Sequence, residues 1–251
     1  MSKIALVTGG SRSIGRATAL KLAQHGNDVI ITYNQNKDAA IEVVAQIEAM
    51  GRRAAALQLD MASPEQLDSF VERLLHELTQ RWSTNRFDYQ VNNAGIGASI
   101  NIDKVTEADF DRMVNVHFKS NFFLVQKLLP HLNDGGRIVN ITSGATRSWV
   151  PGYAVYAAAK SALDTFTKYT AMEVGVRGIT VNSVSPGPVQ TDFNGAIIRN
   201  TPALQEFVKS QTPLNRVALP DDIAGVVAFL CTDDARWVNG QRIEVSGGMA
   251  L

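Results

Sequence analysis

The chain has 251 residues, and its 24 lysine and arginine side chains are balanced by 24 aspartates and glutamates. With no net charge to attract nucleic acid or an acidic membrane surface, we expect neither as a partner. The single cysteine, Cys231, cannot pair within the chain, and no charged leader precedes the first apolar run. Both features are typical of a cytoplasmic protein. No metal site is expected, because no ligand spacing relates the four histidines, His25, His76, His117 and His131.

Apolar runs and helical patterns alternate along the first half of the chain. Residues 4–7 predict a buried strand that ends in a glycine turn, and a helix follows to about residue 26. Two further strands, over 29–31 and 54–59, flank a helix predicted over 38–50. Ser63 and Pro64 predict the next helix start, with Ser63 as the N-cap residue. Residues 77–86 carry the weakest pattern and are interpreted as a surface excursion without function.

The same alternation continues in the second half. Strands are predicted over residues 89–91, 137–141, 179–184 and 242–245. Helices are predicted over residues 107–131, 156–176 and 221–230, with a loop-rich stretch over 186–220. Residues 120–125 are apolar on nearly every side of their helix, which predicts burial in the core or against another subunit.

Alternation with short connections determines the predicted fold. It indicates one domain over residues 1–251, a Rossmann-type α/β fold built on a doubly wound parallel sheet. We expect about seven strands with helices on both faces.

The turn after the first strand predicts nucleotide binding. It reads Thr8-Gly9-Gly10-Ser11-Arg12-Ser13-Ile14-Gly15. Glycines let the backbone approach a pyrophosphate, and the following helix offers free N–H groups at its N-terminus. An acid that would bind the ribose 2′-hydroxyl of NAD is missing from Tyr33-Asn34-Gln35, whereas Arg12 can pair with a 2′-phosphate. The predicted cofactor is therefore NADP(H) rather than NAD(H).

Tyr156 and Lys160 lie four residues apart and share one face of a predicted helix. A phenol normally has a pKa near ~10, too high for proton transfer at neutral pH. A nearby ammonium favours the phenolate and lowers that pKa. The spacing predicts that Tyr156 works as an acid or base with help from Lys160.

Five motifs resemble, in order and spacing, those of the short-chain dehydrogenase/reductase family, and most closely its 3-ketoacyl-carrier-protein reductase type. These motifs are Thr8-Gly9-x-x-x-Ser13-x-Gly15, Asn92-Asn93-Ala94-Gly95, Ser143, Tyr156-x-x-x-Lys160, and Pro186-Gly187 followed by Thr191. The resemblance covers essentially the whole chain. It implies an NADP(H)-dependent oxidoreductase that transfers hydride between nicotinamide and a small-molecule carbonyl or secondary alcohol, and a homotetramer. Two alternatives stay open: a sugar- or steroid-type alcohol dehydrogenase on the same frame, and a catalytically silent, nucleotide-sensing regulator.

The resemblance also implies the roles of four catalytic residues. Tyr156 would exchange the proton with the substrate oxygen, and Ser143 would hydrogen-bond the same oxygen. Lys160 would lower the pKa of the phenol and hold the nicotinamide ribose. Asn115 would hold a water that links Lys160 to solvent.

A larger set is expected to contact the cofactor. Besides Tyr156 and Lys160, it comprises Gly9, Ser11, Arg12, Ser13, Ile14, Gly15, Tyr33, Asn34, Asp60, Met61, Asn93, Ala94, Gly95, Pro186, Gly187, Val189 and Thr191. Asp60 would bond the adenine and Thr191 the carboxamide. Ser13 departs from the family pattern, which has glycine there, and its hydroxyl either bonds a phosphate or crowds the loop. Gln90 also departs from the pattern; we interpret it as a local packing feature whose amide needs partners.

A segment around residues 188–215 is predicted to cover the substrate as a mobile loop-helix unit. Its apolar side chains, together with Trp149 and Tyr153, either line a partly apolar pocket or pack the cover down. Those side chains are Phe193, Ile197, Ile198, Leu204 and Phe207. These patterns leave open the substrate, the direction of the reaction and whether a carrier protein presents the substrate.

Overall fold

The computed structural model describes residues 2–97 and 99–250; Met1 and Leu251, the ends of the predicted domain, lie outside the described residues. Parallel strands form one seven-stranded sheet in the order β3-β2-β1-β4-β5-β6-β7. The strands are β1 Ile4–Val7, β2 Asp28–Tyr33, β3 Ala54–Gln58, β4 Phe87–Asn92, β5 Leu132–Ile141, β6 Thr180–Pro186 and β7 Arg242–Val245. This arrangement confirms the predicted doubly wound α/β fold.

Helices cover both faces of the sheet. They are α1 Ser13–Gln24, α2 Lys37–Ala49, α3 Leu67–Trp82, α4 Glu107–Val114, α5 Ser120–Leu128, α6 Ala154–Val174, α7 Phe193–Asn200, α8 Pro202–Gln211 and α9 Pro220–Leu230. Side chains of α1, α2 and α9 contribute to the core on one face, and those of α3, α5 and α6 to the core on the other. Side chains along a strand alternate between the two cores. In β1, Ala5 and Val7 lie in the first core, and Ile4 and Leu6 lie in the second. The strands read as continuous apolar runs because both of their faces are buried.

The prediction of one continuous helix over 107–131 was wrong. Helix α4 ends at Val114, a π-helical turn covers Asn115–Lys119, and α5 begins at Ser120. The Asn121 side chain donates a hydrogen bond to the Val116 carbonyl (3.0 Å), five residues back. A π-turn this short adds one residue to a helical path, and residues 120–125 are apolar on so many sides that the resulting change of phase leaves no clear mark in the pattern. Phe123 is exposed, so residues 120–125 are not buried on every side within one chain, and their burial against another subunit stays a prediction.

Three more features differ from the predictions. Residues 77–82 are the last turn and a half of α3 rather than a surface excursion, and the buried Trp82 indole donates to Asp28 (2.9 Å). Ser63 precedes a short 3₁₀ turn over Pro64–Gln66, but its side chain does not cap that turn. The loop-rich stretch predicted over 186–220 contains the two helices α7 and α8.

Within residues 2–97 and 99–250, every helix is too short or too polar to span a bilayer. In the same part of the chain, histidine, cysteine, aspartate and glutamate side chains nowhere gather in threes in a way that could hold a metal ion. Cys231 is buried as a free thiol.

Candidate active site

The residues predicted to form the site gather along the carboxyl edge of the sheet. In a parallel sheet all strands end at the same edge, and ligands of such folds bind there. Each of the strands β1 to β6 is followed, within two residues of its end, by a residue predicted to contact the cofactor or the substrate. Those contacts are Gly9, Asn34, Asp60, Asn93, Ser143 and Gly187.

Close backbone approach in the turn after β1 requires glycine. A Cβ atom added to Gly15 would lie 2.2 Å from the Gly9 carbonyl oxygen and 2.4 Å from Nδ2 of Asn93. Gly9 itself has a φ of +65°, which favours glycine. Nδ2 of Asn93 donates to the carbonyl oxygens of Thr8 (2.9 Å) and Gly9 (3.2 Å). The turn is therefore locked to the Asn93–Gly95 loop.

The start of α1 is suited to an anion. Arg12 is its exposed N-cap residue, and among the described residues no side chain caps this end and no acid occupies the first turn. The first amide N–H groups of a helix have no partner within the helix and carry a partial positive charge. A phosphate group fits such an end, which the Asp192 carboxylate approaches through its hydrogen bond with the Ser13 hydroxyl.

The edge next to β2 and β3 also matches the expectation of a nucleotide site. Asn34 is exposed, and its side chain donates to Asp60 (3.3 Å), whose carboxylate also accepts from the Ala62 amide (2.9 Å). Met61 is held from the other side, because the Ser120 hydroxyl donates to its carbonyl (2.7 Å). The described stretch of residues 33–35 presents no carboxylate.

The phenol of Tyr156 is buried, and its pKa differs from the prediction. Burial raises the pKa of Tyr156 to about 12, and a contact with Ser143 acts against that rise. The Lys160 ammonium donates to the Ile141 carbonyl (2.7 Å) and lies 5.9 Å from the centroid of the phenol ring. The pKa of the phenol is therefore raised, not lowered as predicted, because desolvation by burial is the largest influence on it.

Lys160 is itself enclosed by protein. Burial lowers the pKa of Lys160 to about 8, and the charge of Asp164 acts in the opposite direction. Its ammonium has three donors, of which the Ile141 carbonyl takes one. A buried ammonium with donors to spare can bind further acceptors, such as hydroxyl groups or water.

Asn115 and His117 come from the π-helical turn. The Asn115 amide donates to the Ala62 carbonyl (3.3 Å), which fixes this turn against the loop after β3. His117 is fully buried, packs edge-on against the Tyr156 ring (centroids 4.9 Å apart), and contacts the Ile96 carbonyl through Nε2 (2.8 Å). Burial, aided by the nearby Lys160 charge, holds the pKa of His117 well below its usual value, so the ring is neutral.

Sequence reasoning missed His117 because it considered histidines only as metal ligands. The available signal was its position two residues after Asn115 on a helix expected to reach the site.

Arg242 is a second contact that the sequence did not reveal. From β7 it donates to the Ser143 carbonyl (3.2 Å) and the Thr146 hydroxyl (2.7 Å), and it forms an ion pair with Asp164 (3.0 Å). Asp164 lies one helical turn after Lys160 on α6. Arg242 therefore ties the end of β5 to the helix that carries Tyr156 and Lys160.

The segment predicted to cover the substrate packs on the phenol. The Phe193 ring packs on Tyr156 (centroids 5.7 Å apart), and the Asn194 amide donates to the Tyr153 hydroxyl (3.0 Å). Ile197 and Phe207 are exposed by 46% and 57%. The apolar residues of the cover therefore divide: Phe193 faces the site, whereas these two point toward solvent.

The Ser13 hydroxyl has a partner that neither expectation named, and its effect on cofactor binding stays a prediction. The hydroxyl donates to the Asp192 carboxylate (3.2 Å) and accepts from the Asp192 amide (3.1 Å). The side chain is thus engaged by the start of the cover. Thr191, expected at the carboxamide, accepts from the Phe193 amide through its hydroxyl (3.2 Å).

Gln90 finds its partner within the sheet, which agrees with a packing role. Its amide donates to Asn92 (3.0 Å), Asn92 donates to Asn140 (2.8 Å), and Asn140 donates to Thr167 on α6 (2.8 Å). This buried chain of polar groups links β4, β5 and α6 below the site.

A cleft of about 490 Å³ opens on the far side of Tyr153 from the phenol, and Tyr156 itself does not line it. Its lining includes Trp149, Tyr153 and Ala157, and the Tyr153 ring contacts that of Tyr156 (centroids 5.3 Å apart). This volume falls within the range of small-molecule sites, and aromatic walls suit a flat, apolar ligand.

Comparison with known proteins agrees with this geometry. A family model described as enoyl-(acyl carrier protein) reductase matches residues 9–250. A hydroxynaphthalene reductase-like protein, Arp2 of Metarhizium brunneum, is 39% identical over 98% of this chain and 94% of its own. Among solved structures, the promiscuous reductase LugOII, which catalyses a keto-reduction in lugdunomycin biosynthesis, is 39% identical with a TM-score of 0.94, over 99% of this chain and 98% of its own.

The angucycline C-6 ketoreductase LanV, solved with bound NADP, is 41% identical with a TM-score of 0.93 and covers 98% of this chain and 95% of its own. Its match and those above extend over nearly the full length of both partners, so they include the sheet, the glycine turn and the helix of Tyr156. The chain belongs to the short-chain dehydrogenase/reductase family of oxidoreductases, as its motifs predict.

Proposed function

We propose that the protein reduces a ketone carried on a fused-ring aromatic compound, with NADPH as the reductant and Tyr156 as the proton donor. One observation carries the proposal: a buried phenol lies beside Ser143, packs against Phe193, and contacts Tyr153, which lines a cleft with Trp149. The named relatives include a hydroxynaphthalene reductase-like protein and an angucycline C-6 ketoreductase, and both names refer to fused-ring compounds. A flat ring system of that kind suits walls formed by Trp149 and Tyr153.

The residues present fit the phosphates and ribose of NADP(H). The uncapped end of α1 offers amide donors to a pyrophosphate, and Gly15 keeps the surface of the turn free of a side chain. Arg12 is exposed at the same end, and Tyr33 and Asn34 take the place of an acid that would repel a 2′-phosphate. NADP bound to LanV supports the same choice here. When bound, NADPH supplies the hydride that reduces the carbonyl carbon.

Each catalytic side chain then has one task. The Tyr156 hydroxyl donates its proton to the carbonyl oxygen, and the Ser143 hydroxyl donates a hydrogen bond to the same oxygen, which stabilises the charge that develops there. The Lys160 ammonium favours the phenolate left after proton transfer and can hold ribose hydroxyls with its remaining donors. Asn115 orders the π-turn from which a water can reach Lys160. Phe193 and the closed cover exclude bulk water.

NADPH consumption by purified protein with a panel of ketones tests the proposal. We expect turnover of bicyclic and tricyclic aromatic ketones and much slower turnover of 3-ketoacyl thioesters, sugars and steroids. Tyr156→Phe should lower kcat by at least about 100-fold, because general acid catalysis contributes that much, while NADPH still binds. Near-normal turnover by Tyr156→Phe would remove the proposed acid.

Two other outcomes address the alternatives. NADPH binding without turnover of any ketone would favour a nucleotide-sensing regulator. Equal kcat/KM values with NADH and NADPH would contradict the proposed cofactor preference, and a sugar or steroid as the best substrate would favour the alcohol dehydrogenase.

We also propose a homotetramer in which α5 and α6 pair with their counterparts in another subunit. Its support is an apolar outer surface on these helices, formed by Phe123, Tyr169 and Met172, the last two exposed by 69% and 81%. Large exposed apolar side chains that cluster on one face are typical of subunit interfaces.

A further inference from the structure

Ser13 occupies a backbone conformation that serine rarely adopts. Its φ is +51°, in the left-handed region, where a side chain costs conformational free energy that glycine does not incur. A residue held in such a conformation needs compensation from its surroundings. Here the compensating contact comes from Asp192, which lies 179 positions later in the sequence.

Both hydrogen-bonding capacities of the Ser13 hydroxyl are used by one residue. It donates to the carboxylate of Asp192 (3.2 Å) and accepts from the backbone amide of Asp192 (3.1 Å). The second oxygen of this carboxylate pairs with Arg199 on α7 (2.6 Å). A charged acceptor makes the first of these bonds stronger than one between neutral groups.

These three residues, Ser13, Asp192 and Arg199, form a latch between two parts of the site. Ser13 belongs to the glycine turn at the start of α1, and Asp192 directly precedes Phe193, which packs on the catalytic phenol. Asn194, Gly195 and Ala196 follow in left-handed conformations, so the cover turns sharply just after the latch. The first residue after Asp192, Phe193, therefore packs on Tyr156, and the second, Asn194, hydrogen-bonds to Tyr153.

We propose that Ser13 and Asp192 are positioning residues that hold the cover closed over the glycine turn and thereby slow the release of NADP(H). The proposal rests on the cofactor site proposed above, which includes the glycine turn that carries Ser13. Opening the cover requires both bonds of the Ser13 hydroxyl to break, whereas a glycine in its place would leave the cover free to open.

The release rate of NADPH is the measurement that tests the latch. Stopped-flow fluorescence would follow NADPH as it leaves the enzyme after mixing with excess NADP⁺. Ser13→Gly and Ser13→Ala should each raise the release rate about tenfold, the effect expected when a charge-assisted hydrogen bond is lost. Ser13→Gly will fold, because glycine adopts a positive φ without strain.

A double-mutant cycle separates the latch from unrelated effects. Asp192→Ala should raise the release rate as Ser13→Ala does, and the double variant should release NADPH no faster than the faster single variant. Chymotrypsin should also cut the cover near Phe193 sooner in each variant. Arg216→Gln is the matched control, since it breaks another arginine–aspartate pair, with Asp222, outside the latch.

An unchanged release rate in Ser13→Gly, or independent effects that multiply in the double variant, would overturn the latch. Failure of the parent protein to bind NADPH at all would instead overturn the proposed cofactor site. The two failures are therefore distinguishable in one series of measurements.

Discussion

At Lys160, burial and charge act against each other. The ammonium is enclosed by protein, with the Ile141 carbonyl as its bonded neighbour and Asp164 as a nearby countercharge. Its pKa falls from 10.5 to about 8, so the folded state holds this proton less tightly than the unfolded chain. The residue is therefore placed for chemistry at a cost in stability.

The pH dependence of stability should expose this cost. Below pH 8 the Lys160 amine is protonated in both the folded and the unfolded state, so the full penalty of the buried charge is present. As the pH rises from 8 toward 10.5, the folded state has lost this proton while the unfolded chain still holds it, so the free energy of unfolding increases. The gain amounts to about 3 kcal/mol for a shift of this size. Relative to the parent, Lys160→Met should therefore lose about 3 kcal/mol between neutral pH and pH 10.5, measured by urea unfolding.

The difference in the free energy of unfolding between Lys160→Met and the parent removes the contribution of groups that titrate alike in both proteins. Tyr156, for example, has a raised pKa and lowers stability in both proteins as pH rises above 10. A stability difference that stays constant over this pH range would show that Lys160 is not a buried charge.

Among the elements, the turn between β1 and α1 tolerates the least change. Gly15 packs against the Gly9 carbonyl, which is backbone, and against the Asn93 side-chain amide, which is held by its own hydrogen bonds. Neither neighbour can move aside. The motif itself predicted nucleotide binding. The clash that explains its glycine depends on the loop after β4, which only the folded sheet brings near.

Gly15→Ala should impair both stability and cofactor binding. An added Cβ would lie 2.2 Å from the Gly9 oxygen, so the turn must shift. We expect a loss of about 1–3 kcal/mol in the free energy of unfolding, as for other overpacked sites, and a clear rise in the Kd for NADPH. Fluorescence titration and urea unfolding would measure the two effects.

Gly225→Ala is the matched control for that variant. Gly225 lies inside α9, and a Cβ there would meet no described atom within 4 Å. Alanine is the better helix former, so this variant should gain about 0.5–1 kcal/mol and bind NADPH normally. Equal behaviour of the two alanine variants would contradict the account of Gly15.

At the scale of the whole molecule, one sheet carries two buried cores, and the outer face of α5 and α6 exposes the apolar side chains Phe123, Tyr169 and Met172. That face, formed by α5 and α6, is the surface proposed to pair subunits. Light scattering after size exclusion should report a tetramer for the parent. Met172→Glu should reduce it to a smaller species, because a carboxylate would be buried in an apolar contact.

The same substitution elsewhere serves as the control. Met50, at the end of α2, is also exposed, but it lies outside α5 and α6, so Met50→Glu should leave the tetramer intact. A monomeric parent protein would contradict the proposed assembly.

The sequence alone determined the order of the strands along the chain, the family, and the residues at the ends of the strands. These depend on local patterns: apolar runs, glycine turns and the spacing of Tyr156 and Lys160 along a helix. Parallel strands then bring every strand end to one edge, so the positions of Ser143 and the Asn93–Gly95 loop followed from the fold class. The motifs carried this information because their residues are close neighbours in the chain.

Only the tertiary structure decided how these groups interact. The pairing of Ser13 with Asp192, the hold of Arg242 on Ser143 and the packing of His117 on Tyr156 all join residues from different elements. The π-turn at Asn115 and the raised pKa of Tyr156 depend equally on what surrounds them. Contacts and burial of this kind arise when distant segments pack together, and no local pattern records them.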